Sequence, residues 1–426
     1  MKTSSLKVSD IGEKQLIERI IQKSKSCSIF DSNSIDFKTS IGDDSALTDI
    51  DLEENSYLVS SSDMLIQSSH FPSEMSYYQM GYKSVIVNVS DLASMGAKNI
   101  GFLLNVAIPK DTFLDDFDDL ICGVIQACDK YEIPLIGGDT NEASEIILSG
   151  TAIGQVNKDR ALMKSGFNVG DLVCISGEIG LAALGFELLR LREILNNNLF
   201  ELIDIKEKID KSYEIDSSLC DMAIFKALKP EAKYAEGHIL SNYNSENSIC
   251  VTDITDGLAS EFYEILDSDK KFMAIESNNS YSELNNEYSE SFGKVNSKEI
   301  NDEYSESIGK TNYNEIRNPY SKGIRIYEDK LPVEEEFKQI SEILGLNYLD
   351  LVLHVGEDFE FLFTISPEIR KDLEKEMEFY VIGEISENNN SNCNTKDDED
   401  NNFTVEIVLS NGETEKISSK GYEHLS

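Results

Sequence analysis

The sequence predicts a mixed α/β protein of two domains, on three observations. The chain has 426 residues, more than one typical domain holds. Hydrophobic residues make up 40% of it, enough for a sizeable core. Short β-branched runs alternate with amphipathic stretches of helical spacing, as in α/β layers and unlike a bundle or sandwich.

Taken in order, Tyr57 to Ser61 reads as a strand. Tyr78 to Met95 carries apolar residues at helical spacing (Met80, Val85, Val89, Leu92), and Gly96 suits its end. Gly101 to Ala107 is the next strand, and a helix spans about Leu114 to Tyr131. The apolar run Pro134 to Ile136 leads into two glycines, and Glu145 to Val156 is another strand. Leu172 to Ser176 reads as a strand, about Gly180 to Ile194 as a helix, and Phe359 to Thr364 as a late strand. The domain boundary is expected near Lys158, giving domains of 1–157 and 158–426.

Residues 276–322 change character, with Asn, Ser, Glu and Tyr dominant and a near-duplicate in NNEYSESFGK and NDEYSESIGK. This is low-complexity insertion rather than core, as is 387–402; 195–217 reads as a third elaboration. No chemistry is expected from them.

A formal charge of −41 opposes binding to nucleic acid or anionic membranes. Apolar runs such as Ile100 to Ile108 are too short to span a bilayer, and the N-terminus has no apolar signal core, so a cytoplasmic location is expected. The seven cysteines (Cys27, Cys122, Cys128, Cys174, Cys220, Cys250, Cys393) never fall at C-x-x-C spacing. That argues against a disulfide framework or structural zinc.

The chemistry lies in short aspartate motifs that interrupt the apolar strands: IGDDSAL (Ile41 to Leu47), SSDM (Ser61 to Met64), NVSDLASMGA (Asn88 to Ala97), IGGDTN (Ile136 to Asn141) and DITDGL (Asp253 to Leu258). Singly, each reads as a turn or helix cap. Gathered in one pocket without cations, each carboxylate pair near ~4 Å would cost about 4 kcal/mol at an effective dielectric of ~20. Convergence therefore implies metal, and oxygen-only ligands select Mg²⁺, Mn²⁺ or Ca²⁺ over zinc. Such ions suit phosphoryl transfer. Gly309-Lys310-Thr311 is not a P-loop end, since Tyr304 occupies the position of the first glycine. No protein-kinase signature is present either.

In order and wording these motifs, together with SSDMLIQSSHF, ALMKSGFNVGD, VGEDFEFLFT and KGYEHL, resemble the thiamine-monophosphate kinase family of the aminoimidazole ribonucleotide synthetase superfamily. The resemblance runs nearly end to end and fails only over the insertions. It implies a two-domain α/β fold, a homodimer paired through the N-terminal sheets, and an active site between the domains. It also implies the ATP-dependent conversion of thiamine monophosphate to thiamine diphosphate by in-line transfer, the last step of thiamine diphosphate biosynthesis, with several Mg²⁺ ions and no dedicated base.

Position by position, the resemblance makes Asp44, Asp63, Asp91, Asp139, Asp253 and Asp256 the expected Mg²⁺ ligands, with Ser61 and Ser62 adding oxygens. Gly138, Asp139, Lys164 and Thr255 match positions that contact ATP. His70, Glu357 and Tyr422 match positions near the thiamine phosphate, where a carboxylate or an aromatic face suits a cationic heterocycle. The chain departs from the family pattern at Lys164, which replaces Arg, at Asn141-Glu142, which replaces Thr-Arg, and at Val355, which replaces Gly.

Two alternatives remain open. One is another ATP-dependent kinase or synthetase of the superfamily. Against it, Cys27 lacks the glycine-rich setting of the selenide enzymes, and the chain ends HLS without the cysteine of the hydrogenase-maturation relatives. The other is a non-catalytic module that binds nucleotide or thiamine phosphate, against which the full set of aspartates argues.

Overall fold

The computed structural model describes residues 6–11, 13–24, 55–196, 217–273, 322–387 and 403–418. Asp44, Tyr422, Cys27, Cys393 and nearly all of the three elaborations lie outside these residues.

Two short helices, α1 (Val8–Ile11) and α2 (Glu13–Ser24), precede a four-stranded sheet. Its strands are β1 (Ser56–Ile66), β2 (Lys98–Ile108), β3 (Leu135–Glu142) and β4 (Ile147–Asn157), in the order β1-β4-β2-β3. Between them run α3 (Gln67–His70), α4 (Tyr77–Ser94) and α5 (Leu114–Lys130). Alternation along β4 turns Leu148, Ala152 and Val156 inward, where they meet Val85, Val89 and Leu92 of α4 and Phe117, Leu120 and Ile121 of α5. The other face of the sheet is uncovered among the described residues. On it Leu58 and Met64 are 56% and 57% exposed.

Helix α4 starts at a capping box in which Ser76 Oγ accepts the Gln79 N–H and Gln79 Oε1 accepts the Ser76 N–H. It packs against the sheet, α5 and parts of the second half of the chain, so nearly every side is buried. Lys83 and Asp91 are its only charged residues.

The second half builds a seven-stranded mixed sheet from β5 (Leu172–Ile175), β6 (Cys250–Asp253), β7 (Lys322–Tyr327), β8 (Phe361–Ile365), β9 (Tyr380–Glu387), β10 (Val405–Val408) and β11 (Thr414–Lys416). Its order is β11-β10-β7-β9-β5-β8-β6. Strand β8 is buried on both faces, which is why its sequence, FLFTI, is apolar nearly throughout. Helices α6 (Leu181–Asn196), α7 (Ser217–Leu228), α8 (Tyr234–Asn244), α9 (258–273), α10 (Glu335–Ile343), α11 (Tyr348–His354) and α12 (Arg370–Leu373) complete this half. Phe359, between α11 and β8, is buried in the core of the first sheet and joins the halves.

Two sequence expectations need correction. The SSDM motif lies inside β1 rather than at a strand end, because β1 pairs with β4 from Ser56↔Asn157 to Ile66↔Ile147 and the ladder carries the polar run. Likewise β3 runs through Gly137, Gly138 and Asp139, which pair in parallel with β2.

Candidate active site

Three carboxylates meet where the halves join. Asp63 lies within β1, Asp91 in the last turn of α4 and Asp253 at the end of β6. The last turn of a helix is its negative end, an unfavourable place for a carboxylate. Hydroxyls offset part of that cost. Ser61 Oγ donates to Asp91 Oδ2, and Ser90 Oγ donates to Asp253 Oδ2 at 2.6 Å. Asn88, fully buried on α4, accepts the Asp63 N–H at 3.1 Å and so ties β1 to the helix.

Burial is the main cause that raises all three carboxyls. Asp91 and Asp253 are each pushed up to about 6, Asp91 further by Asp63 and Asp253 further by Asp91; the Asp63 carboxyl rises as well, with Asp253 adding to it. Asp63 Oδ2 is buried without a hydrogen-bond partner.

The charge of Lys164 favours ionisation of both Asp91 and Asp253. Its Nζ is held 2.5 Å from Glu264 and 4.0 Å from Glu261. Glu261, in the first turn of α9, is only 1% exposed, and burial followed by the charge of Glu264 pushes its carboxyl up to about 8. It accepts from Thr252 Oγ1 at 3.1 Å. Asp256 and Thr255 follow β6 in the same turn, and the Thr255 carbonyl accepts the Glu357 N–H at 2.9 Å.

Lys83, in the N-terminal half of α4, bridges Glu357 and His70. The imidazole Nδ1 of His70 accepts the Ile66 N–H at 2.9 Å, which fixes the ring at the end of β1. Lys83 donates to the His70 carbonyl at 3.2 Å and lies 2.5 Å from Glu357 Oε2. Neighbouring Asp358 accepts the Gly180 N–H through both oxygens at 3.0 Å, just ahead of α6. Burial pushes its carboxyl up to about 7.

Ser62 and Asp139 do not join the cluster. Side chains alternate along β1, so Ser62 faces away from Asp63 and bonds the Gly150 carbonyl and Thr151 Oγ1. Asp139 pairs with Asn105, and Asn105 with Ser149, in the row that includes Met64 on the uncovered face. Gly138 is required where it stands: its φ is +153°, and a Cβ there would lie 1.7 Å from the Leu104 carbonyl oxygen.

Asn88, Ser90, Glu261 and Lys83 were not singled out from sequence. A signal existed for three of them, since a lysine, an asparagine and a serine inside the apolar helix α4 must find partners when buried. Glu261 had none, because its burial depends on packing across β6.

The donor set fits a hard divalent cation such as Mg²⁺: oxygen ligands, carboxyls raised by burial and one another, and one orphaned buried oxygen. Mg²⁺ commonly uses one or two carboxylates, with water and phosphate completing its shell. The Asp63–Asp91 pair meets that need, although no group of three His, Cys, Asp or Glu among the described residues converges in ligand geometry.

Residues 42–156 match the family described as AIR synthase related protein, N-terminal domain. Over 352 residues the chain is 28% identical to the thiamine-monophosphate kinase of Methanocaldococcus jannaschii, covering 82% of this chain and 86% of that protein. The thiamine-monophosphate kinase structure from Stenotrophomonas maltophilia K279a aligns with TM-score 0.60 at 23% identity, covering 87% of this chain and 93% of that one. AaThiL complexed with AMPPCP and TMP aligns with TM-score 0.57 at 20% identity over 100% of both chains. At these identities the structures speak for the fold alone. With the ordered motifs, these comparisons make the chain similar to thiamine-monophosphate kinases over most of its length, and residues 42–156 similar to the AIR synthase related N-terminal domain.

Proposed function

We propose that the chain transfers the γ-phosphoryl group of ATP to thiamine monophosphate, giving thiamine diphosphate and ADP, in the cytoplasm as the last step of thiamine diphosphate biosynthesis. The observation that carries this reading is the cluster of half-buried Asp63 and Asp91 with buried Asp253, and its orphaned Asp63 oxygen. The names of the curated relatives, and the nucleotide analogue and TMP in AaThiL, support the choice of substrates.

In this reading Asp63, Asp91, Asp253 and Asp256, with Ser61 and with Asp44 from outside the described residues, hold Mg²⁺. Bound there, the ion neutralises phosphate charge. Lys164, now held by Glu264 and Glu261, turns to the ATP phosphates, with Thr255 and Gly138 beside the nucleotide. A lysine there is a point charge and grips less directionally than a bidentate arginine. Glu357, His70 and Tyr422 face thiamine phosphate. The acceptor phosphate is already anionic, so attack on the γ-phosphorus needs no protein base, and the chain's part is to align and shield the reactants.

Two copies pair through the uncovered face of the first sheet, a reading supported by exposed Leu58 and Met64. Ser62 and Asp139 lie on that face. The domains divide near Lys158, the first residue of a 3₁₀ turn that follows β4.

The test is formation of thiamine diphosphate from thiamine monophosphate and ATP with and without Mg²⁺, in the wild type and in Asp91→Asn. We expect Mg²⁺-dependent product and a loss of about 10³ in kcat/KM in the variant. A folded wild type that binds ATP yet forms no product would overturn the reading.

A further inference from the structure

We infer that Lys83 is a positioning residue that sets the thiamine side of the site, an inference that rests on the reading of Glu357 and His70 as substrate groups. A lysine 1% exposed is unusual, since its charge must be compensated where it lies. Its two polar contacts among the described residues come from separate parts of the chain. One is the His70 carbonyl at 3.2 Å, at the end of the turn that follows β1. The other is Glu357 Oε2 at 2.5 Å, in the loop from α11 to β8. The Phe186 ring of α6 lies 6.0 Å from the ammonium.

The loop that Lys83 grips is strained. Glu357 and Phe359 have φ of +69° and +52°, left-handed values that non-glycine residues adopt at a cost. Gly356 allows the approach, for a Cβ there would lie 1.8 Å from the Thr255 carbonyl oxygen. The loop is thus pressed on the turn that carries Thr255 and Asp256, while Phe359 anchors it in the first core.

Strain of this kind persists only where surrounding contacts over-determine it. Lys83 supplies the charged contact, and by also holding the His70 carbonyl it fixes the spacing between the two substrate groups. It lies on the same rigid helix as Asp91, which refers that spacing to the carboxylate cluster.

The experiment compares KM for thiamine monophosphate with KM for ATP in the wild type, Lys83→Met, Lys83→Arg, Glu357→Gln and the double variant Lys83→Met/Glu357→Gln, with thermal melting of each. In Lys83→Met we expect KM for thiamine monophosphate to rise about tenfold or more while KM for ATP changes less than about twofold. Lys83→Arg should recover part of the loss. The double variant should be no worse than Glu357→Gln alone, as for residues acting through one contact.

If Lys83→Met fails to fold because it strands the half-buried Glu357 carboxylate, Lys83→Arg and the double variant carry the test. An unchanged KM for thiamine monophosphate, or equal rises for both substrates with a lowered melting point, would overturn the inference alone. A wild type that makes no thiamine diphosphate would sink the functional reading, and the inference with it.

Discussion

Asp253 and Asp269 are both about 4% exposed, and both come from the second half of the chain. Asp269, on α9, is fully met: Lys322 Nζ lies 2.7 Å from Oδ2, and the Gly166 N–H donates to Oδ1 at 3.0 Å. Lys322 also donates to the Phe167 carbonyl at 2.6 Å. Asp253 is met by a serine hydroxyl and faces Asp91, which in turn faces Asp63, and its carboxyl is pushed up to about 6. A buried carboxylate with an ammonium and an amide is complete as folded. One that faces other carboxylates is where the proposed cation would supply the missing charge, and the functional reading rests on that contrast.

The largest effect that would sharpen this contrast is on Asp269. Asp269→Asn leaves the Lys322 ammonium without its carboxylate and should destabilise the fold by about 3 kcal/mol or more, measured by urea unfolding at neutral pH with and without Mg²⁺. Mg²⁺ should not change that loss.

Asp253→Asn should move the other way. The Asp253 carboxyl is raised from the ordinary value near 4 to about 6, so the folded state holds a proton there that the unfolded state has released. The stability linked to that proton is complete below pH about 4 and is lost as pH rises through about 6. Without Mg²⁺ at pH 7.5, Asp253→Asn should therefore gain on the order of 2 kcal/mol over wild type, and the gain should vanish below pH about 4. Added Mg²⁺ should raise the melting temperature of the wild type and much less that of the variant. Destabilisation by Asp253→Asn throughout this range would break the comparison.

The smallest effect concerns Ser90, whose hydroxyl is the donor to Asp253 at 2.6 Å. Ser90→Ala should cost about 1 kcal/mol at neutral pH and less in acid, where the carboxyl no longer depends on that donor. A cost independent of pH would assign Ser90 to packing alone.

Local patterns explain how much of this was legible. Residues Tyr77–Ser94 are helical within a residue of the expectation from apolar spacing, and Leu114–Lys130 likewise. Strand β4 begins two residues after the expected start. The polar strands were harder. SSD in β1 and GGD in β3 look like loop sequence, yet pairing with β4 and β2 extends the strands through them. Of the expected metal ligands, Asp63, Asp91 and Asp253 come together, whereas Ser62 and Asp139 stand on the opposite face of the sheet.

By itself, then, the sequence determined the α/β class, the main helices and the aspartate motifs, because periodicity and short glycine–aspartate strings act within one element. Tertiary structure alone decided which carboxylates meet, that Ser90 and Glu261 join them, and that Lys83 binds groups from two distant segments. Burial and charge compensation depend on neighbours far apart in the chain, and only packing brings those neighbours together.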